Sequence, residues 1–543
     1  MCRSGLAVPL QARGRKRDID VRGEHSACLG GDARRRPWRV EASLLRGVRG
    51  LGRLTRRARA RKLRGRAAVG SSVTMTHVQG SRRMAWVGAF LALAGLVACG
   101  GSEEESSSSE GESSSSMSAS AMGESGESPS AMGESGGSAS AMGGAAARPD
   151  AVPDSLPNGL LVTYSPFGQN DQGRWVEPQP ARLELITRHG GEWHVEAITD
   201  EDSNVFHKAM AYTPPGGEPA ILTIGGMGAF VKLWRRGDEG WASETLWTED
   251  FGGRFNRMRD VEVGDLYGDG KPAMAIATHD QGVFATIRPT DDGFQVQKTD
   301  RQGNLFIHEI ELGDLNGDGT LEVYTTPSEP NRMGGEQSGQ VVRYVPANGL
   351  EGEVVADLGN RHAKEIWVGD VDGDGRDELY VSVEGLTERG EQGLSIVEPV
   401  EIRRYEADTP PTEGKVIAQI DGDHLMRFLT VGDVDGDGQR EMVAASFSRG
   451  LWLLRPGSDP NGEWSKESID RDSGGFEHAS VFADLDGDGS DELYVAWDND
   501  GELRRYVWVN GRARRTVIHG RDQPRSMITW NIMPAPASLL RGE

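Results

Sequence analysis

Residues 369–381 read GDVDGDGRDELYV. Three aspartates, Asp370, Asp372 and Asp374, stand on alternate positions among glycines, and a strand-like run follows at once. Like charges at this spacing repel, so the arrangement calls for a cation among them. A hard cation such as calcium takes six to eight oxygens at about 2.3–2.6 Å, and a tight loop offering side chains at positions 1, 3 and 5 can supply them. Gly373 and Gly375 let the backbone curl round the ion. An EF-hand is excluded: its loop needs a bidentate Glu at position 12, where this sequence has Val381. The acid comes at position 9, Glu378, and the LYVSV that follows alternates as a strand does. The stretch therefore reads as a calcium loop feeding a β-strand.

The motif recurs. GDLNGDGTLEVYT starts at Gly313, GDVDGDGQREMVAAS at Gly432, ADLDGDGSDELYVAW at Ala483, and a weaker copy, GDLYGDGKPAMAIAT, at Gly264. The first aspartates, Asp265, Asp314, Asp370, Asp433 and Asp484, are separated by 49, 56, 63 and 51 residues. Each interval has room for about four short strands, which points to a β-propeller with one four-stranded blade per repeat. Upstream, AYTPPGGEPAILTIG aligns with the weak copy and sets Tyr212 where Asp265 stands, a blade that keeps the turn and has lost its carboxylates. Downstream, SMITWNIMPAP from Ser526 reads as the first strand of a unit whose remainder lies at the other end of the chain. There, LLVTYSPFGQNDQGRWVEPQPARLELI parallels LYVSVEGLTERGEQGLSIVEPVEIRRY of the blade near Lys364. The expectation is an all-β, seven-bladed propeller over residues 157–536, closed by pairing its terminal strands so that no edge is left free, with 537–543 as a C-terminal tail.

Three segments precede it. Residues 1–74 hold 20 Lys and Arg against 5 Asp and Glu and show little apolar periodicity; they read as a spurious or disordered extension, with Met75 or Met84 the expected start. In SRRMAWVGAFLALAGLVACGG, Arg82 and Arg83 precede about 14 apolar residues, too few to span a bilayer and suited to a signal-peptide core over 75–98. This segment ends in Leu96-Val97-Ala98-Cys99 and resembles a bacterial lipobox, which implies lipidation of Cys99 and cleavage before it. From 99 to 156 the chain is rich in Ser, Gly, Glu and Ala, with SAMG returning at Ser120, Ser130 and Ser140. It reads as a disordered tether, and a coil of ~50 residues reaches about 40 Å.

The whole chain has a formal charge of −23; without residues 1–98 it keeps 38 basic and 78 acidic residues, or −40. Nucleic acid is an unsuitable partner for such a surface. The sequence carries no nucleophile elbow, zinc motif, P-loop or dinucleotide fingerprint.

The repeats resemble the FG-GAP or VCBS-type repeats of integrin α-subunit-like β-propellers, whose loops carry D-x-[DN]-G-D-G-x-x-[DE]. That resemblance implies side-chain ligands at positions 1, 3, 5 and 9 and a carbonyl at position 7. Carried onto this sequence, the first set is Asp314, Asn316, Asp318 and Glu322 with the carbonyl of Thr320, and the second is Asp370, Asp372, Asp374 and Glu378 with Arg376. The third is Asp433, Asp435, Asp437 and Glu441 with Gln439, and the fourth is Asp484, Asp486, Asp488 and Glu492 with Ser490. Calcium is thus expected at four sites. The copy at Asp265 and Asp269 has Tyr267 at position 3 and Ala273 at position 9 and is expected to bind poorly or not at all.

A second feature shares the period: a basic or imidazole residue shortly before each loop. These are His207, Arg257, His308, His362, His424 and His478, with Lys208, Arg259, Arg361 and Arg427 nearby and Arg525 in the closing blade. In a propeller the first strand of a blade is innermost, so these residues are expected around the channel mouth opposite the calcium loops, as a ring that selects an anionic ligand. The reading that follows is a monomeric, lipid-anchored, non-enzymatic protein of the bacterial cell envelope, at the outer membrane, whose propeller binds an extracellular glycan or protein. The alternative is a polysaccharide lyase-like enzyme that acts on acidic glycans at the mouth, a propeller type that the resemblance also covers.

Overall fold

A computed structural model describes residues 152–540, apart from 157, 170–174, 254 and 331–332. The N-terminal extension, the signal segment, Cys99 and nearly all of the tether lie outside the described residues. What is described is a seven-bladed β-propeller of four-stranded antiparallel blades. With blades numbered from the N-terminus, the innermost strands of blades 2–7 are Val205–Tyr212, Met258–Gly264, Phe306–Gly313, Ala363–Gly369, Met426–Gly432 and Ser480–Ala483. Blade 1 is composite. Its innermost strand is the C-terminal Met527–Ala535, which pairs antiparallel with Gly159–Gln169 from Gly159↔Ala535 to Pro166↔Met527. The expected terminal closure is therefore present, and the ring has no open seam between its first and last blades.

The burial of each strand follows from its place in a blade. Second strands such as Ala273–Thr278, Glu378–Val383 and Glu441–Ser446 are buried at every residue. A neighbouring blade covers each of their faces, so they read as continuous apolar runs and not as alternations. Fourth strands such as Gly240–Thr248 lie at the rim and are mostly exposed. The core sits between blades: Tyr212, Leu222 and Ile224 of blade 2 pack with Val261, Met274 and Ile276 of blade 3. Each such side chain contributes roughly 1.5–3 kcal/mol of burial, which a single blade could not gather alone.

Two excursions lengthen blades 1 and 5 at matching places. In blade 5 a separate hairpin, Leu386–Gly390 with Gly393–Glu398, is inserted between the second and third strands. In blade 1 the short strand Trp175–Pro178 pairs back on Phe167–Gln169. The last element among the described residues is a helical turn, Ala537–Leu540, whose Leu539 is buried against blades 1 and 2.

Candidate functional site

The aspartate loops join the innermost to the second strand of blades 3 to 7. In each, the position-1 carboxylate is the pivot around which the backbone winds. Asp370 accepts hydrogen bonds from the amides of Gly373 at 2.6 Å and Gly375 at 2.9 Å. Asp484 does the same with Gly487 at 2.6 Å and Gly489 at 3.0 Å. Gly373 and Gly375 have φ of 80° and 86°, and a Cβ on either would touch nothing. The left-handed backbone, and not crowding, requires glycine there.

This winding turns the alternate carboxylates inward. Oxygens of Asp370, Asp372 and Asp374 lie within 4.8 Å of one another, as do those of Asp433, Asp435 and Asp437 and of Asp484, Asp486 and Asp488. All donors are oxygens, which suits a hard cation. Asp486 Oδ1 is buried without a hydrogen-bond partner, an orphan that an ion in this loop would satisfy. In blade 4, Asn316 Oδ1 instead accepts from the Asp318 amide at 2.8 Å, and its Nδ2 donates to Glu322 at 2.9 Å. The residues at position 7, Thr320, Arg376, Gln439 and Ser490, each donate their amide to the position-5 aspartate at 2.8–2.9 Å.

The position-9 glutamates begin the second strands and are buried beneath the loops. An arginine from the third strand reaches each of them: Arg343 to Glu322 at 3.0 Å, Arg404 to Glu378 at 3.2 Å, Arg455 to Glu441 at 3.2 Å, and Arg505 to Glu492. Arg404 and Arg505 also hold the position-3 carboxylates, Asp372 at 2.7 Å and Asp486 at 2.8 Å. Tyr380 and Tyr494 donate to Glu378 and Glu492 at 3.1 and 3.0 Å. Burial pushes both glutamates up, to about 7, against the lowering pull of their arginines. Sequence reasoning did not find these arginines, although IRP, VVRY, IRRY, LLRP and LRRY recur in the third strands. In the degenerate loop of blade 3, Arg288 of that series pairs with Asp269 at 2.7 Å and lies 4.3 Å over the Tyr267 ring. There the protein brings its own cation to the position-5 carboxylate.

At the other end of the channel, about 20 Å away along a seven-residue strand, the His and Arg residues begin the inner strands. His207 lies 4.4 Å from Trp530, and its Nδ1 accepts from Arg259 at 3.3 Å, which leaves the proton on Nε2. His308 stands between His279 and His362, with ring centroids 5.6 and 5.1 Å away. His362 donates from Nδ1 to the Glu329 carbonyl at 3.0 Å. Arg257 covers Phe255 at 4.5 Å and Trp530 at 5.5 Å. Glu477 ties the array together: it reaches Arg427 at 2.8 Å and Arg259 and Lys364 at 3.6 Å, joining blades 7, 6, 3 and 5. Burial alone would raise Glu477, but the three cations hold it at about 2. The imidazoles move the other way. Burial, reinforced by neighbouring cations, lowers His207 and His308 well below the usual histidine value, and His362 to about 3.

The structure thus brings His207, Arg257, Arg259, His308, His362 and Arg427 into one array and adds Glu477, Trp530 and His279. His424 stands beside Asp423 at 3.8 Å and Phe447 at 6.2 Å. Four expected members lie outside the array, and of these Lys208 pairs with Asp260 at 3.1 Å and with Glu262. Arg361 donates to the Glu384 carbonyl at 2.9 Å and pairs with Glu398 and Glu401 at 3.0 Å. His478 bonds the Ser446 carbonyl at 2.8 Å and the Ser473 hydroxyl at 2.7 Å. Arg525 is exposed in a left-handed turn. Part of the array's positive charge is matched from within: Glu477 meets three of its cations, Glu365 pairs with Lys364 at 2.5 Å, and Glu384 lies 3.7 Å from Arg427.

Residues 433–495, from the loop of blade 6 into the second strand of blade 7, match the family model described as FG-GAP-like repeat. No curated protein matches the chain. Among solved structures it is similar to a Lactobacillus plantarum protein, at 9% identity over 69% of this chain and 99% of that one, with a TM-score of 0.41. A Bacteroides uniformis putative 6-phosphogluconolactonase aligns at 12% identity over 70% and 100%, with a TM-score of 0.42. The Pseudomonas aeruginosa periplasmic gluconolactonase aligns at 12% over 70% and 99%, with a TM-score of 0.43. Likeness at this level carries no argument about activity. The chain is a seven-bladed β-propeller with an FG-GAP-like repeat at residues 433–495.

Proposed function

We propose that this propeller is the calcium-stabilised binding head of a lipid-anchored envelope protein, taking an extracellular glycan or protein as its ligand without chemistry. The observation that carries this reading is the set of three carboxylate triplets in the consecutive blades 5, 6 and 7, with the orphaned Asp486 Oδ1 in the last. A cation in each loop would tie positions 1, 3 and 5 together and relieve their repulsion. Asp314, Asn316 and Asp318 would hold a fourth. Calcium here supplies cross-links and charge neutralisation, while the chain's own Arg404 and Arg505 anchor the loops from below.

The lyase alternative draws less support. A general base must meet its substrate's proton, whereas both ring nitrogens of His308 and Nε2 of His207 and His362 are enclosed. The test is a screen of the full chain on glycan and protein arrays, with calcium and with chelator, alongside acidic polysaccharides monitored for the ultraviolet absorbance of unsaturated uronate. Calcium-dependent binding without product supports a binding head. Growing absorbance would replace it with the lyase.

A further inference from the structure

We propose that the inserted hairpin of blade 5 is a docking strand for an extended basic peptide of a partner protein. This deepens the binding reading above and rests on it. The hairpin stands at the end of the propeller opposite the aspartate loops, because it continues from the second strand, which runs antiparallel to the inner one. Among the described residues its two strands pair only with each other.

Its root is held firmly. Arg361 grips the Glu384 carbonyl, Glu398 and Glu401, and the Gly334 amide of blade 4 donates to Thr387 at 2.8 Å. The first strand is therefore backed by blade 4, while the second, Gly393–Glu398, faces out with all six residues exposed. Leu394, Ile396 and Val397 are 37%, 37% and 48% exposed, three of the eight large apolar side chains that the described residues expose. Such concentration on one short strand is unlike the scatter usual for a surface.

The backbone edge is open as well. A two-residue loop makes Gly390 and Gly393 a hydrogen-bonded pair, so Arg389↔Leu394 is the non-bonded pair that follows. The N–H and C=O of Leu394 then point away from the hairpin. The irregularity in the register falls at the root, between Leu386 and Thr387, and not along this outer stretch. Proteins blunt open edges with proline, bulges or inward charges; from Leu394 to Ile396 this edge carries none of them, and the one extra residue, Val397, lies beyond that stretch at the root. An edge of this kind is what strand addition uses: main-chain bonds supply affinity, and alternate side chains supply selectivity.

Charge selects the occupant. Glu388 and Glu391 flank the apolar stretch against a single Arg389, Glu398 beyond it is shared with Arg361 at 3.0 Å, and Glu336 is exposed on the neighbouring connection of blade 4. A second copy of the hairpin would bring the same acids to the same edge, and an acidic segment would be repelled. An extended segment with alternating apolar residues and flanking lysine or arginine fits both features.

The test uses the full chain in calcium and a fluorescein-labelled peptide of alternating valine and threonine with lysine at each end, read by anisotropy. The control peptide keeps the lysines and replaces the strand formers with glycine and serine. The strand former should bind at least tenfold more tightly than the control. Leu394→Pro, which removes an outward N–H, and Ile396→Lys should each weaken binding at least tenfold and leave the unfolding midpoint in place. Equal binding of the two peptides, no binding at about 1 mM, or affinity unchanged in both variants would overturn the proposal. So would a dimer in sedimentation that Leu394→Pro abolishes, since the edge would then belong to a second copy. Calcium-dependent glycan binding without peptide binding would sink the docking strand and leave the binding head standing.

Discussion

His362→Asn probes how the channel mouth is held. His362 is fully buried, donates from Nδ1 to the Glu329 carbonyl, and lies near Lys364, Arg427 and His308. Burial and Lys364 lower it from 6.5 to about 3, against the raising effect of the Glu329 carbonyl bond. A depressed histidine contributes its full stability above the unfolded value and loses it as pH falls, because the unfolded chain takes a proton that the native ring refuses. At pH 5 the loss is 1.5 pH units at 1.36 kcal/mol each, about 2 kcal/mol. As long as the folded value stays below about 4, the figure is set by the unfolded one. Asparagine keeps the amide donor toward Glu329 and does not titrate. The variant starts less stable at pH 7.5, because it gives up the ring contact with His308. Its deficit should shrink by about 2 kcal/mol between pH 7.5 and 5 in urea unfolding followed by tryptophan fluorescence. A deficit constant to within about 0.5 kcal/mol would refute a buried, neutral His362.

Glu477→Gln removes the one carboxylate shared by Arg259, Lys364 and Arg427 and should cost roughly 3–5 kcal/mol, measurable as a lower urea midpoint; a change under about 1 kcal/mol would mean that Glu365 beside Lys364 and Glu384 beside Arg427 already suffice. Asp486→Ala takes the position-3 oxygens from the loop of blade 7, where even the asparagine of blade 4 keeps one, and should lower the calcium stoichiometry in calorimetry by one, with the loops of blades 4 to 6 unaffected. Stopping the chain before Met527 removes the inner strand of blade 1 and should abolish cooperative thermal unfolding, whereas a propeller able to close without it would keep a single sharp transition.

Much of the architecture was legible because its cause is local. An Asp-x-Asp-Gly-Asp-Gly loop is a backbone requirement written directly in residues, and Gly373 and Gly375 are glycine because their φ demands it. Closure by Met527–Ala535 was readable because that strand repeats the start of a blade whose remainder stands at Gly159. The hairpin of blade 5 was visible only as extra length between two strands, since exposure of Leu394 and Ile396 depends on what covers them. The mouth was legible in part. His207, His308 and His362 recur at one point of the repeat, and that period placed them on one rim. Glu477 binds across the channel to blades that are distant in sequence, so nothing in its neighbourhood announces its partners. His279 follows the second strand of blade 3 and not the start of an inner one, and so it fell outside the periodic window. Arg361 and His478 carry the periodic signal yet turn to carbonyls of their surroundings, because a buried backbone acceptor competes for any donor within reach.

The claim on which the proposed role depends most is that calcium holds the loops of blades 4 to 7. Thermal unfolding of the full chain in chelator and across a calcium titration tests it directly. At tenfold excess over a dissociation constant near 10⁻⁴ M, each site adds about 1.4 kcal/mol by mass action. Four sites should raise stability by about 6 kcal/mol, as a saturable rise in the melting temperature that Asp486→Ala reduces. A melting temperature that calcium leaves unchanged would contradict the account, and the carboxylate triplets would then be Asp-Gly turns held by Arg404, Arg505 and their own backbone.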